Sequence, residues 1–287
     1  MMPVLVIGAT GCVGSHVVDE LLGRGVPVRA FVRDRARAAT VLDGRVEPAV
    51  GDVGDPASVR AALVGVERVF LCTPNHPQQV EHETNVIDAA AGARVRRLVK
   101  IGANGAQIGS PVAFWDAHGR IEAHLRQSGV PAVVLHPTSY MSNLLAAAHA
   151  VAHEGTLFAP AGGAKVAVID PRDVAAVAAV VLTADGHEGR TYPLTGPHAV
   201  THHDVAHQLC AVTGRPVEYV DVPDEAAREG MLQAGVPAWM AEQLVGLWRE
   251  LRRGAADTTT DVVRVLTGQE PRTLTRFLRD HAAAFRP

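Results

Sequence analysis

The chain has 287 residues, 47% of them hydrophobic, with a formal charge of −3. That length can bury a sizeable core, as one large domain or as a main domain with a smaller partner. The small dispersed charge and the lack of a dense basic run exclude a nucleic-acid surface. No apolar run reaches the ~18 residues that cross a membrane, and the N-terminus lacks a secretory leader's basic flank, so a cytoplasmic protein is expected.

An apolar run, Val4 to Ile7, feeds directly into Gly8-Ala-Thr-Gly11-Cys-Val-Gly14, after which Val13, Val17, Val18, Leu21 and Leu22 recur at helical spacing. This reads as strand, tight turn and helix. Gly8 permits the turn, Gly11 lets backbone approach a pyrophosphate, Gly14 allows helix to pack on strand, and the helix N-terminus faces the phosphates. Gly8, Thr10, Gly11, Cys12, Val13 and Gly14 are therefore candidate cofactor-binding residues. Cys12, Cys72 and Cys210 are isolated, which indicates neither disulfides nor zinc. A reactive Cys12 thiol, with its pKa lowered by the helix N-terminus, competes there with a plain small loop residue.

A second strand, 27–32, ends in Arg33-Asp34-Arg35-Ala-Arg37. An acidic residue at this strand end hydrogen-bonds a free ribose 2′-hydroxyl, whereas Arg33 backed by Arg37 suits a 2′-phosphate. NADP(H) is accordingly expected over NAD(H). A short strand at 45–50 leads to Asp52, placed to accept from the adenine amino group, and Asp55-Pro56 reads as a helix cap and first position. A fourth strand, 67–72, opens into a loop from Thr73 and Pro74 that should border the cofactor.

Helix 78–92, strand 97–101, helix 115–128 and strand 131–136 continue the alternation that marks a doubly wound parallel sheet. Ligands lie at the carboxyl ends of such strands, so Gly102, Ala103 and Asn104 should face the nicotinamide. The loop at 136–143, carrying Ser139 and Tyr140, should roof it, followed by an alanine-rich helix. Gly155 to Gly163 reads as a loop, 166–169 as a strand, Asp170-Pro171 as a helix start and 191–194 as a strand. Helix 201–213, strand 216–220 and helical stretches through Trp239, Met240 and Trp248 complete the chain. His203 and His207 have i,i+4 spacing but no third ligand, so no metal is expected. The expected fold is α/β, a Rossmann-type sheet over 1–150 with a returning segment at about 164–195. Residues 151–163 and 196–287 should form a smaller mixed α/β substrate lobe.

GATGCVG, FVRD at 31–34, GD at 51–52, AHGRIEAHLRQSGVPAVVLHPTSYMSNLL at 117–145, IDPRDVA at 169–175 and TYPLTGP at 191–197 together resemble an atypical short-chain dehydrogenase/reductase of the NmrA-like type. The resemblance implies a Rossmann domain binding NAD(P) and a small C-terminal lobe. It also implies a membership that mixes quinone or ketone reductases with non-catalytic redox sensors. The wider superfamily works through a serine and a Y-x-x-x-K pair, and that spacing falls here on Phe114 and His118, with Gly102-Ala103-Asn104 at the serine position. The usual proton relay cannot be carried over.

His118 is then the remaining candidate acid or ribose ligand, since imidazole titrates near neutrality, with Glu122 one turn on to orient it. Tyr140 is a second candidate donor, against a role as packing wall. Asn104 is a candidate for binding the substrate carbonyl. His76 and Trp115 are expected to line the pocket by position alone. The expected function is NADP(H)-dependent reduction of a ketone or quinone by a monomer or homodimer. The alternative is an NADP(H)-binding redox sensor. Two lysines against many arginines, with abundant alanine, fit a GC-rich genome and hence an aromatic polyketide-type substrate.

Overall fold

The computed structural model describes residues 2–287. In chain order the elements are β1 Val4–Ile7, α1 Gly14–Gly23, β2 Val28–Val32, α2 Arg35–Leu42, β3 Glu47–Val50, α3 Pro56–Ala62, β4 Arg68–Leu71, α4 Gln79–Gly92, β5 Arg97–Ile101, α5 Ala113–Gln127 and β6 Ala132–Pro137. A 3-10 segment Met141–Ala147 leads into α6 Ala148–Glu154, β7 Thr156–Ala159, α7 Pro171–Thr183, β8 Thr191–Leu194, α8 His202–Thr213 and β9 Glu218–Asp221. The chain closes with α9 Asp224–Gln233, α10 Ala238–Arg252, α11 Val262–Thr267 and α12 Leu274–Asp280.

Seven strands form one parallel sheet in the order β3-β2-β1-β4-β5-β6-β8. The chain moves outward from β1 through β2 to β3, then restarts on the other side of β1 with β4. That reversal opens a crevice at the carboxyl ends of β1 and β4, where such sheets take their ligands. Both faces of the sheet are covered, so its inner strands are apolar runs rather than alternating ones. Val4, Leu5, Val6 and Ile7 are all buried. On one face α1 packs on α7, joining Val17, Val18 and Leu21 to Val174, Val177, Ala178 and Val181. On the other, α3, α4 and α5 bring Val59, Val86, Ile87, Ile121 and Leu125 together.

The helix starts follow their caps. Asp34, Asp55 and Asp170 each accept backbone N–H groups of the first turn, Pro56 and Pro171 follow as first helical residues, and Thr201 with Asp204 forms a capping box on α8.

Two local readings differ from the structure. Segment 166–169 is not a strand of the sheet: it makes isolated bridges, Tyr140 to Ile169 and Val166 to Val200. Conversely β7 lies inside the expected loop 155–163 and pairs in parallel with β9. Its partner lies 62 residues on, Thr156 opposite Glu218, so no local pattern announces it. This two-stranded sheet, with α8, α12 and residues 282–285, encloses a second core that includes Leu157, Leu209, Tyr219, Phe277 and Phe285. Before α12 the chain recrosses: Val263 of α11 packs in the main core, against α7.

His202 is partly buried at the edge of the second core, its ring 5.0 Å from that of Trp248 and 5.4 Å from that of Tyr219. Burial lowers its pKa to about 4. An unfolded histidine takes its proton near pH 6.5, so between these values the unfolded chain binds more protons and stability falls as pH falls. Acidification from pH 7.5 to 5 is expected to cost about 2 kcal/mol at this residue. Urea midpoints of the wild type and His202→Phe at the two pH values check this, since the variant should lose less stability on acidification.

Candidate functional site

The glycine loop is built by contact rather than by flexibility. Gly8 has φ +84°, a left-handed conformation, and a side chain there would collide with the Cys72 carbonyl. A side chain on Gly14 would collide with the Gly8 carbonyl, whereas one on Gly11 would meet only the Gly8 oxygen, at 3.2 Å. Gly8 and Gly14 thus let β1, β4 and α1 close on one another, while Gly11 lies on the open side. No side chain caps α1; within its first turn Ser15 N donates to the Gly11 carbonyl at 3.1 Å. Val13 buries its side chain in the core, so only its backbone faces the crevice. Cys12 is at the surface, with its thiol near Ser142. Partial burial raises the thiol pKa, contrary to the lowering expected of a helix N-terminus.

At the end of β2, Arg33 and Arg37 are exposed, and neither guanidinium has a partner among the described residues. Asp34 is occupied by its capping role, accepting from Ala36 N at 2.8 Å and Arg37 N at 3.1 Å. At the end of β3, Asp52 Oδ1 accepts from Gly54 N at 2.8 Å. Thr73, after β4, turns its hydroxyl inward and donates to Glu83 Oε1 at 2.7 Å, leaving its backbone and Pro74 at the crevice.

Beneath the ends of β4 and β5 lies a polar network that the sequence reading did not contain. Lys100 of β5 and Glu83 of α4 both have fully buried side chains, and Lys100 Nζ lies 3.1 Å from Glu83 Oε2. That oxygen receives no well-directed hydrogen bond, so charge rather than directional bonding joins the two. Lys100 Nζ also donates to the Ile101 carbonyl at 2.8 Å and lies 2.9 Å from His118 Nδ1. Gln79 Nε2 donates to Glu83 Oε1 at 3.0 Å. His118 is only 7% exposed. Burial first, then the charges of Lys100 and His136, hold its pKa well below the ordinary imidazole range. The expected titration near neutrality is therefore not what the environment gives: the ring is neutral.

Glu122 does not orient His118. Its Oε1 lies 2.8 Å from His136 Nε2, and this pair fills the space beside Gly102. A side chain on Gly102 would come within 2.7 Å of the His136 ring and 2.5 Å of Glu122 Oε1. Asn104 donates to the Ala255 carbonyl at 3.2 Å, tying the β5 loop to the C-terminal part of the chain. Tyr140 is half-buried against the main core. Burial raises its pKa well above the ordinary value, with smaller contributions from Cys72 and Cys12. Phe114 meets Trp239 edge to face at 6.3 Å, and Gln243 Oε1 accepts from Ala113 N at 2.8 Å, so α10 docks on the start of α5. Trp115 lies over Gly105, while His76 stacks on His82.

Lys100, Glu83 and His136 are the residues that sequence reasoning missed. A lysine inside the otherwise apolar strand RLVKI was the available signal, because a buried charge needs a partner. Nothing local identified that partner as Glu83.

An uncapped helix N-terminus at a sheet reversal, unpaired arginines at the second strand end and a buried polar network at the fifth define a dinucleotide-binding α/β protein of the Rossmann class. These features fit a phosphorylated dinucleotide by donor chemistry. The NmrA-like family pattern matches residues 2–277, and the chain belongs to that family. It is 38% identical over 282 residues to an NAD(P)H azoreductase of Xenophilus azovorans, covering 98% of this chain and 99% of that one. It is 39% identical over 285 residues to a (4-alkanoyl-5-oxo-2,5-dihydrofuran-3-yl)methyl phosphate reductase of Streptomyces griseus, covering 99% of each. Among solved structures, the NADPH complex of the Escherichia coli quinone oxidoreductase QOR2 superposes with TM-score 0.88 at 29% identity, covering 98% of this chain and 99% of that one. The protein is an oxidoreductase by this kinship. No helix among the described residues is long and apolar enough to cross a membrane.

Proposed function

We propose that the chain is an NADPH-dependent reductase of an electron-poor ketone or quinone, an aromatic polyketide-type compound included, working without the Ser-Tyr-Lys set. The observation that carries this reading is a single sheet edge with a helix N-terminus that no side chain caps and unpaired arginines at one end, and His118 at the other. The first turn of α1 binds the pyrophosphate, with backbone groups of Thr10, Gly11, Cys12, Val13 and Gly14 against it. Arg33 and Arg37 hold the 2′-phosphate, and Asp52 takes the adenine side through its remaining carboxylate oxygen. Thr73, Pro74 and Gly102 line the nicotinamide half.

Reduced nicotinamide supplies the hydride when bound. The protein orients the acceptor and stabilises the negative charge that develops on its oxygen. Phe114 and Gly102 cannot perform the acid and serine roles, since one carries no exchangeable proton and the other no side chain. His118 is placed to hydrogen-bond the substrate oxygen. Tyr140, its proton held tightly by burial, serves as a wall. Asn104 fixes the loop through Ala255 rather than the substrate carbonyl. The α10 contacts with Phe114 and Ala113 wall this end of the crevice.

Mixing the protein with NADPH and a panel of quinones and aromatic ketones, while following absorbance of the reduced nicotinamide, tests the activity. Tight NADPH binding with no oxidation across the panel would favour the sensor instead. The cofactor assignment has its own test. Losing the charge-assisted bonds to the 2′-phosphate in Arg33→Ala is expected to weaken NADPH binding about 10- to 100-fold while leaving NADH binding unchanged. Equal affinities for the two nucleotides in the wild type would sink it.

A further inference from the structure

We propose that Lys100 is a positioning residue that fixes His118 as the Nε2–H tautomer, so that a neutral imidazole presents one N–H to the substrate oxygen. The inference rests on the reductase reading above and deepens it. An ammonium group has three donors and no acceptor. At 2.9 Å from His118 Nδ1 it can only donate, so Nδ1 must accept and the ring proton must be on Nε2. The lysine is itself held in place. Its other contacts are the Ile101 carbonyl at 2.8 Å and Glu83 at 3.1 Å, and Glu83 is in turn anchored by Thr73 and Gln79.

The other ring nitrogen is free. His118 Nε2 makes no hydrogen bond within the described residues. Nor is it sealed in, because the enclosed side-chain atoms without a partner are Arg29 Nε, Glu83 Oε2 and Arg97 Nε. One nitrogen is thus saturated from below by a buried cation, and the other is accessible at the sheet edge that takes ligands. A neutral donor of this kind stabilises a developing oxyanion without first carrying a charge into the buried site. The same lysine charge, with burial, keeps the ring from taking a second proton.

The test is nitrogen NMR of the cofactor-free protein labelled at histidine, with the His118 signals assigned by their loss in His118→Gln. The wild type at neutral pH is expected to show an unprotonated Nδ1 and a protonated Nε2. Lys100→Met removes the donor but leaves Glu83 unpaired, so the double variant Lys100→Met/Glu83→Gln is measured beside it. There the ring should relax to a mixture of tautomers, and kcat should fall only in proportion to the share of rings that lose the Nε2 proton, about a few-fold. Lys100→Arg, also a pure donor, should keep the Nε2–H signature. A wild-type ring protonated on Nδ1 overturns the proposal, and so does a pure Nε2–H ring in the double variant. If the tautomers are as expected but no substrate oxidises NADPH, the reductase reading fails and the positioning role stands.

Discussion

Lys100→Met is expected to destabilise the fold by about 3–5 kcal/mol, the cost of breaking a buried ion pair by removing one partner. Native domains have only about 5–15 kcal/mol in hand, so the variant should melt far below the wild type or fail to accumulate. Glu83 is the cause. Its side chain is fully buried, its Oε2 has no other partner, and Gln79 and Thr73 hydrogen-bond only its Oε1. Replacing both residues, as Lys100→Met/Glu83→Gln, should restore most of the loss, because the uncompensated carboxylate is gone. Denaturant midpoints of the two single variants and the double variant give the coupling directly. Additive losses would mean that the pair contributes nothing as a pair.

The second large effect falls on turnover. His118→Ala is expected to lower kcat about 10²- to 10³-fold, the usual consequence of removing one oxyanion-directed donor. Affinity for NADPH should be unchanged, because the pyrophosphate and 2′-phosphate contacts lie at the other end of the crevice. Single-turnover oxidation of NADPH by the best quinone of the panel, beside a fluorescence titration of the cofactor, separates the two. If affinity falls and the single-turnover rate does not, His118 is a ribose ligand and not a group acting on the substrate. Tyr140→Phe should differ little from the wild type in the same assay.

The cofactor end of the site was legible because its chemistry is local. Gly8, Gly11 and Gly14 lie within seven residues, and the loop they form needs only its own strand and helix to be recognised. Arg33 was equally readable as an open cation, whereas the capping role of Asp34, which accepts from Ala36 N and Arg37 N, came only with the structure. The substrate end was not legible in this way. His118 was visible as a residue but not in its state, which depends on Lys100 from β5 and His136 from β6, eighteen residues away on either side. Glu122 has the helical spacing to meet His118, yet it meets His136 across the Gly102 gap, because the missing side chain there leaves room.

The amino-acid sequence by itself determined the parallel doubly wound sheet, the glycine loop and the starts of α3 and α7. Each rests on periodicity, turn chemistry or side-chain to backbone bonds that act within a few residues. Only the tertiary structure decided that β7 pairs with β9, that α11 returns to the main core and that a buried lysine holds the imidazole of His118. Those outcomes depend on groups far apart in the chain, whose meeting is fixed by the packing of whole elements and by the need of a buried charge for a partner.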